Sequence, residues 1–281
     1  MKSDSNFRDR PLRALTIAGF DPSGSAGVLA DVRTFHDFGL AASAAITSIT
    51  FQNTNRGFGA VDQTGEAVRQ QLLPLLEDFT FNCAKTGMLP TREVVREVAR
   101  LFRESELPRP VVDPVMVASS GQRLMEESAI DTLVHELLPL ARLVTPNIPE
   151  AEALTGISIT SEWDMRRAAG MIRGLGARAV LIKGGHLEGR KQTADGRRQT
   201  AGGVEAGETY LANEVIDVLD NEGDVTVFRQ MRIDGPGIRG SGCILSAAIA
   251  AGPGNGQTLE ESVRAAKSYV WTAISEARAA G

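Results

Sequence analysis

Short apolar runs alternate along this chain with segments of helical spacing, and that alternation leaves few folds open. Residues 15–18 read as a first strand, 44–50 as a second, and Val111-Val112, Leu143-Val144 and 180–182 as short buried strands. Between them, Val28, Leu29, Val32 and Phe35 fall at helical spacing, as do Val94, Val95, Val98, Leu101 and Phe102. Thr64 and Thr91 stand where N-caps belong, and Thr258 with Glu261 three residues on forms a capping-box pattern. Strand and helix in strict succession predict an α/β fold with a mostly parallel central sheet flanked by helices on both faces. Residues 1–12 read as a polar tail and 13–281 as a single domain. The stretch at about 189–212, poor in large apolar residues, reads as a surface insertion, because β-like runs resume at 215–219 and 225–228.

Composition narrows the function. A formal net charge of −5 leaves no basic excess for neutralising phosphates, so a nucleic-acid partner is not expected. No apolar run is long enough to span a membrane, and the cytoplasm is the expected location. The two cysteines, Cys83 and Cys243, give neither a disulfide framework nor metal-ligand spacing. His36, His135 and His186 are too scattered for a metal cluster; the first two fall in helical sequence and His186 comes just after a lysine-containing loop.

In an open parallel sheet, ligands bind beyond the carboxyl ends of the strands. The residues that terminate each apolar run are therefore informative. The first run ends in Gly19-Phe20-Asp21-Pro22-Ser23-Gly24-Ser25-Ala26-Gly27; later runs end in Asp113, in Thr145-Pro146-Asn147-Ile148-Pro149-Glu150, and in Lys183-Gly184-Gly185. Two carboxylates, an amide and a lysine would then share one edge, a set suited to Mg²⁺ and nucleotide phosphates. The plainer reading is that Asp113 and Asn147 only cap the next helices. Asp31 projects between Val28 and Phe35 on the apolar side of its helix. It either pairs with an arginine such as Arg33 or Arg56, or accepts hydrogen bonds from a ligand over the glycine loop.

Gly240-Ser241-Gly242-Cys243 opens a strongly apolar helix, where converging N–H groups and the helix dipole favour an anion. Cys243 in the first turn is either a thiol shifted toward the thiolate, and so a general base, or an inert buried cysteine. Residues 235–240 match G-x-G-x-x-G, but no second strand comes after the helix, which excludes a dinucleotide site. Walker A, HExxH and GxSxG sequences are absent.

Taken in order, the glycine loop, Ala30-Asp31, Gln52-Asn53-Thr54, Lys85-Thr86-Gly87-Met88-Leu89, Val112-Asp113-Pro114-Val115-Met116, residues 145–150, Lys183-Gly184-Gly185-His186 and Gly240-Ser241-Gly242-Cys243 resemble the hydroxymethylpyrimidine/phosphomethylpyrimidine kinases of thiamin biosynthesis, members of the ribokinase-like superfamily. The resemblance implies phosphorylation of 4-amino-5-hydroxymethyl-2-methylpyrimidine and its monophosphate by ATP with Mg²⁺. It implies that Gly19, Asp31 and Gln52 hold the pyrimidine, with Met88 and Val115 lining the pocket. Asn147 and Lys183 would serve the nucleotide, Asp113 and Glu150 the metal, and Gly240, Ser241 and Gly242 an anion hole in which Cys243 deprotonates the alcohol. A homodimer is compatible with the resemblance. Where the family usually has His-Gly-Thr-Gly-Cys, this chain has Arg239-Gly240-Ser241-Gly242-Cys243, which puts a cation beside the phosphate path. A pyridoxal-type kinase, or a pyrimidine-binding regulatory relative with weak turnover, stand as alternatives. Gln52 favours the aminopyrimidine, because an amide pairs with a ring nitrogen and an exocyclic amine together.

Overall fold

The structure is a computed structural model that describes residues 11–53, 56–118, 121–185, 214–233 and 239–279. The expected insertion at 189–212, the first ten residues, Thr54, His186 and Ile238 lie outside the described residues. In chain order the elements are β1 (Arg13–Phe20), α1 (Gly27–Asp37), β2 (Ala41–Gln52), β3 (Gly57–Asp62), α2 (Gly65–Asp78), β4 (Cys83–Thr86), α3 (Arg92–Glu104), β5 (Val111–Val112), α4 (Glu127–Thr132), β6 (Leu143–Val144), α5 (Ile148–Thr155), α6 (Glu162–Gly174), β7 (Ala179–Lys183), β8 (Glu214–Asn221), β9 (Asp224–Met231), α7 (Ser241–Gly254) and α8 (Leu259–Ala279).

They form one nine-stranded sheet in the order β3-β2-β1-β4-β5-β6-β7-β8-β9. From β2 through β7 every pairing is parallel, while β3, β8 and β9 add antiparallel edges. The expected parallel core is present, and the side-chain period of two explains its two covered faces. Leu15, Ile17, Val180 and Ile182 pack with residues of α2, α3, α5 and α6. Their neighbours Ala14, Ala179 and Leu181 turn to the opposite face, against Phe35 of α1 and the apolar sides of α7 and α8. Each fully buried Leu or Ile contributes roughly 1.5–3 kcal/mol, so the central strands are anchored from both sides.

The caps agree with the sequence. Thr64 and Thr91 side chains accept from the backbone N–H groups of Ala67 and Val94. Thr258 and Glu261 bond reciprocally ahead of α8. Two strands depart from the pattern expected. β3 is glycine-rich and mostly exposed, so no apolar alternation announces it. β4 carries a lysine, Lys85, in a four-residue buried run, which breaks the apolar signal; its burial is permitted by Asp31 of α1.

Candidate active site

Because β1, β2, β4, β5, β6 and β7 run the same way, their carboxyl ends share one edge, and a cleft of about 770 Å³ opens over it. Gly19, Gln52, Met88, Asp113, Val115, Asn147, Glu150, Lys183 and residues 240–243 all line this cleft. They come from seven separate segments of the chain.

The glycine loop is built around Asp21. Its carboxylate accepts from the Ser23 backbone at 2.9 Å, the Ser23 hydroxyl at 2.9 Å and the Ala26 backbone at 3.0 Å. Burial works to raise its pKa, but these bonds and one from the Gln52 side chain hold the carboxyl below the usual carboxylate range. At Gly27, with φ +61°, a Cβ would lie 2.1 Å from the Gly19 carbonyl oxygen. At Gly240, with φ +78°, a Cβ would lie 2.0 Å from the Ser25 carbonyl oxygen. The glycine loop and the turn before α7 are therefore in backbone contact, and only glycine fits at either position.

The charged edge forms the second part. Lys183 Nζ lies 2.9 Å from Asp113 Oδ1, and Asp113 also accepts from the hydroxyls of Thr145 and Ser246, each at 3.1 Å. Burial opposes the charge on Lys183, yet Asp113 and Glu150 outweigh it and hold the ammonium above the ordinary lysine range. Asn147 does cap α5, as the plainer reading holds, in a capping box with Glu150. Both residues line the cleft as well. Burial, reinforced by the neighbouring Asp113 and opposed by Lys183, pushes the Glu150 carboxyl up to about 7. A Cβ on Gly242 would lie 3.2 Å from Lys183 Nζ, so the bare turn at the start of α7 opens directly onto that ammonium.

Two expectations need correction. Asp31 pairs with neither Arg33 nor Arg56. Its carboxylate receives Lys85 Nζ at 2.8 and 2.9 Å and the Thr16 hydroxyl at 2.6 Å, with lysine and aspartate side chains both fully buried. Burial opposes the Lys85 charge, but Asp31 beside it holds the lysine protonated. The pair lies beneath the floor: Lys85 reaches the cleft wall and Asp31 does not. Lys85 was missed as a site residue because nothing in β4 marks a lysine as buried before its partner in α1 is known. Cys243 is not shifted toward the thiolate. Burial, with Asp113 and Asp31 adding to it and Lys85 opposing, pushes the thiol up to about 11. Desolvation of a thiolate at this half-buried position exceeds the pull of the helix N-terminus.

Arg239 does not project into open space beside the phosphate path. Its guanidinium donates to Gln52 Oε1 and, at 2.9 Å, to the Asn53 carbonyl oxygen. The turn before α7 is thus fastened to the tip of β2. At the other end of the cleft, Val215, Met231, Val270, Trp271 and Ile274 make an apolar wall. The i, i+3/i+4 spacing of Lys267, Val270, Trp271 and Ile274 carried that signal in the sequence. Lys267 is held by Asp217, which also accepts from the Gly184 backbone at 2.8 Å.

The chain is similar to several known proteins. A kinase from Rhizobium meliloti, described as a hydroxymethylpyrimidine/phosphomethylpyrimidine kinase, is 42% identical over 267 residues, which are 94% of this chain and 91% of the relative. The crystal structure of a phosphomethylpyrimidine kinase from Clostridium difficile matches with a TM-score of 0.76 at 34% identity, covering 94% of this chain and 99% of the other. A pyridoxal kinase from Staphylococcus aureus, solved with AMP-PCP and pyridoxal, matches with a TM-score of 0.78 at 29% identity over 94% of this chain and 88% of the other. These neighbours share the ribokinase-like fold. Residues 21–281 match the family described as phosphomethylpyrimidine kinase, and the chain belongs to that family.

Proposed function

We propose that the protein transfers the γ-phosphoryl group of ATP first to the hydroxymethyl group of 4-amino-5-hydroxymethyl-2-methylpyrimidine and then to the monophosphate so formed, as a step of thiamin biosynthesis in the cytoplasm. The observation that carries this reading is the meeting of the helix N-terminus at Gly240, Ser241 and Gly242, bare at its two glycines, with the Lys183 ammonium. Both stabilise charge on a phosphoryl group in transfer. The apolar wall of Val215, Met231, Val270, Trp271 and Ile274 suits an adenine ring. On the other side of the turn, Gly19, Gln52, Met88 and Val115 suit a pyrimidine. Asp31 then acts from below, by holding Lys85 in the wall, and not by touching the substrate.

Mg²⁺ fits the donor set as a metal carried in by the nucleotide. Among the described residues no cluster of three or more His, Cys, Asp or Glu side chains makes a metal cage. Asp113 and Glu150 are two oxygen donors of the kind that hold Mg²⁺ together with phosphates and water. The ion would neutralise charge on the phosphates; Lys183 and the α7 turn hold the transferred group, and the Gln52 side positions the acceptor. In the first reaction the alcohol oxygen bonds to the γ-phosphorus, the bond to the leaving ADP oxygen breaks, and the alcohol proton passes to Cys243 as thiolate. No helix among the described residues is long and apolar enough to cross a membrane. A homodimer through the exposed apolar face of Ile49, Phe51 and Val61 on β2 and β3 belongs to the same proposal.

The test is competition between two acceptors. Given equal hydroxymethylpyrimidine and pyridoxal with limiting Mg-ATP, the protein is expected to phosphorylate the pyrimidine first. Preferred phosphorylation of pyridoxal would move the assignment to a pyridoxal kinase. Tight binding of the pyrimidine without ATP consumption would make the protein a binding relative.

A further inference from the structure

Two ion pairs flank Cys243. On one side stand Lys183 of β7 and Asp113 at the end of β5, 2.9 Å apart; on the other stand Lys85 of β4 and Asp31 of α1, 2.8 Å apart. These four are the charged groups that act on the sulfur. The first pair meets the phosphoryl group in the proposed reaction. The second has so far only a place in the wall, although a fully buried charge is costly to keep.

Helix α1 fixes the distance from this second pair to the sulfur. The Gly27 backbone N–H, at the start of α1, donates to the Cys243 sulfur. Asp31 lies four residues on, roughly 6 Å of rise along the same helix. The Lys85 ammonium bonds both oxygens of Asp31, at 2.8 and 2.9 Å, and is thereby pinned about one turn from the sulfur. Those bonds use two of its three N–H donors, and among the described residues the third has no hydrogen-bond partner. A Cβ on Gly87, which lines the cleft, would lie 3.2 Å from Lys85 Nζ, so the ammonium meets bare backbone at the cleft wall. Burial pushes the Cys243 thiol up; Lys85 is the largest influence against it, ahead of the Gly27 N–H, while Asp113 and Asp31 act with burial.

Resting on the proposed kinase function, we infer that Lys85 is the positioning residue for the base: its ammonium, shared between Asp31 and the Cys243 sulfur, stabilises the thiolate as the alcohol arrives, and Asp31 sets how much of that charge the sulfur receives. In the step served, the thiolate takes the alcohol proton and an S–H bond forms. The alcohol oxygen bonds to the γ-phosphorus of ATP, and the bond from that phosphorus to the ADP oxygen breaks, its electron pair leaving with ADP. The thiol returns its proton to water before the next turnover. Lys85 and Asp31 therefore act on the sulfur with opposite sign.

The experiment uses that opposition. The full chain carries Cys83→Ala, so that Cys243 is its sole thiol, and is alkylated with iodoacetamide, which reacts with the thiolate. At about pH 8 the rate follows the thiolate fraction, tempered by its nucleophilicity. Asp31→Asn is expected to raise the rate about threefold and Lys85→Met to lower it by at least about threefold. Lys85→Met with Asp31→Leu should fall between Lys85→Met and the unaltered pair. On hydroxymethylpyrimidine with Mg-ATP, Lys85→Met is expected to lose kcat/KM mainly in kcat. Should Lys85→Met fail to fold, Asp31→Asn and the double variant, on opposite sides of the unaltered pair, decide the order by themselves. Alkylation rates that move the same way in Asp31→Asn and in the variants lacking Lys85 would make the pair purely structural and overturn the inference, as would unchanged rates or a loss confined to KM. Unaltered protein that phosphorylates no pyrimidine overturns the functional reading, and the alkylation order still decides whether Lys85 acts on the sulfur.

Discussion

The ammonium of Lys85, on β4, lies 2.8 Å from the carboxylate of Asp31, on α1, and neither side chain has any exposed surface. Removing one partner strands a charge where water cannot reach it, which costs about 3–5 kcal/mol. Lys85→Met is therefore expected to lower unfolding free energy by about that amount, read from urea denaturation. The double variant Lys85→Met with Asp31→Leu should recover a large part of the loss, because an apolar pair of similar size leaves no charge unpaired and costs only the Thr16 hydroxyl its bond to Asp31. A single-variant loss below about 1 kcal/mol, as for a surface pair, would contradict the account.

Gly240 and Ser25 make a second contact that sequence distance conceals. Gly240→Ala combines a left-handed backbone, costing roughly 1–2 kcal/mol, with a Cβ placed 2.0 Å from the Ser25 carbonyl oxygen. It is expected to lose more stability than that backbone cost alone and most of its turnover. Gly24→Ala is the control: its φ is +72°, yet nothing lies within 4 Å of the added carbon. Similar effects from both substitutions would remove the argument that the glycine loop and the α7 turn are locked together.

Glu150 gives a pH signature. Its folded pKa of about 7 stands above the usual value of 4.5, so between these values the unfolded chain has lost a proton that the folded chain keeps. Stability of the ligand-free protein contributed by this group is thus present below pH 4.5 and lost as pH rises to about 7. Glu150→Gln is expected to flatten the fall, measured as the denaturation midpoint at about pH 5 and about pH 7.5. An unchanged pH dependence in the variant would show that another group controls it.

Cys243 makes a kinetic prediction with the opposite direction. Only the thiolate can take the alcohol proton, and below a pKa of about 11 its fraction grows tenfold per pH unit. With hydroxymethylpyrimidine, kcat/KM is expected to climb to the highest pH the protein withstands. Cys243→Ala should lose about 10²–10⁴-fold in turnover while still binding the pyrimidine. A plateau near neutral pH would place the base elsewhere.

Much of this architecture was legible because its parts repeat a local rule. Short continuous apolar runs and helices of period 3.6 announced most strands and helices, and the polar residue ending a parallel strand marked the cleft. The hidden features each required a partner distant in sequence. Lys85 interrupts the apolar signal of β4, and Asp31, which neutralises it, lies 54 positions away. The bonds of Arg239 to Gln52 and Asn53 were not legible, because they cross 186 or 187 positions of chain. The state of the Cys243 thiol stayed open for a related reason: a helix N-terminus is visible in sequence, but the burial that opposes it is not. β3 escaped because an exposed, glycine-rich edge strand has no apolar face to read.

The central claim is that this cleft transfers phosphoryl groups to a hydroxymethylpyrimidine, and ³¹P NMR of a single reaction tests it most directly. With hydroxymethylpyrimidine, ATP and Mg²⁺, a monoester resonance is expected to rise as ATP is consumed and then give way to the paired resonances of a diphosphate ester. ATP turned over to ADP and inorganic phosphate alone, or no change in the spectrum, would contradict the claim.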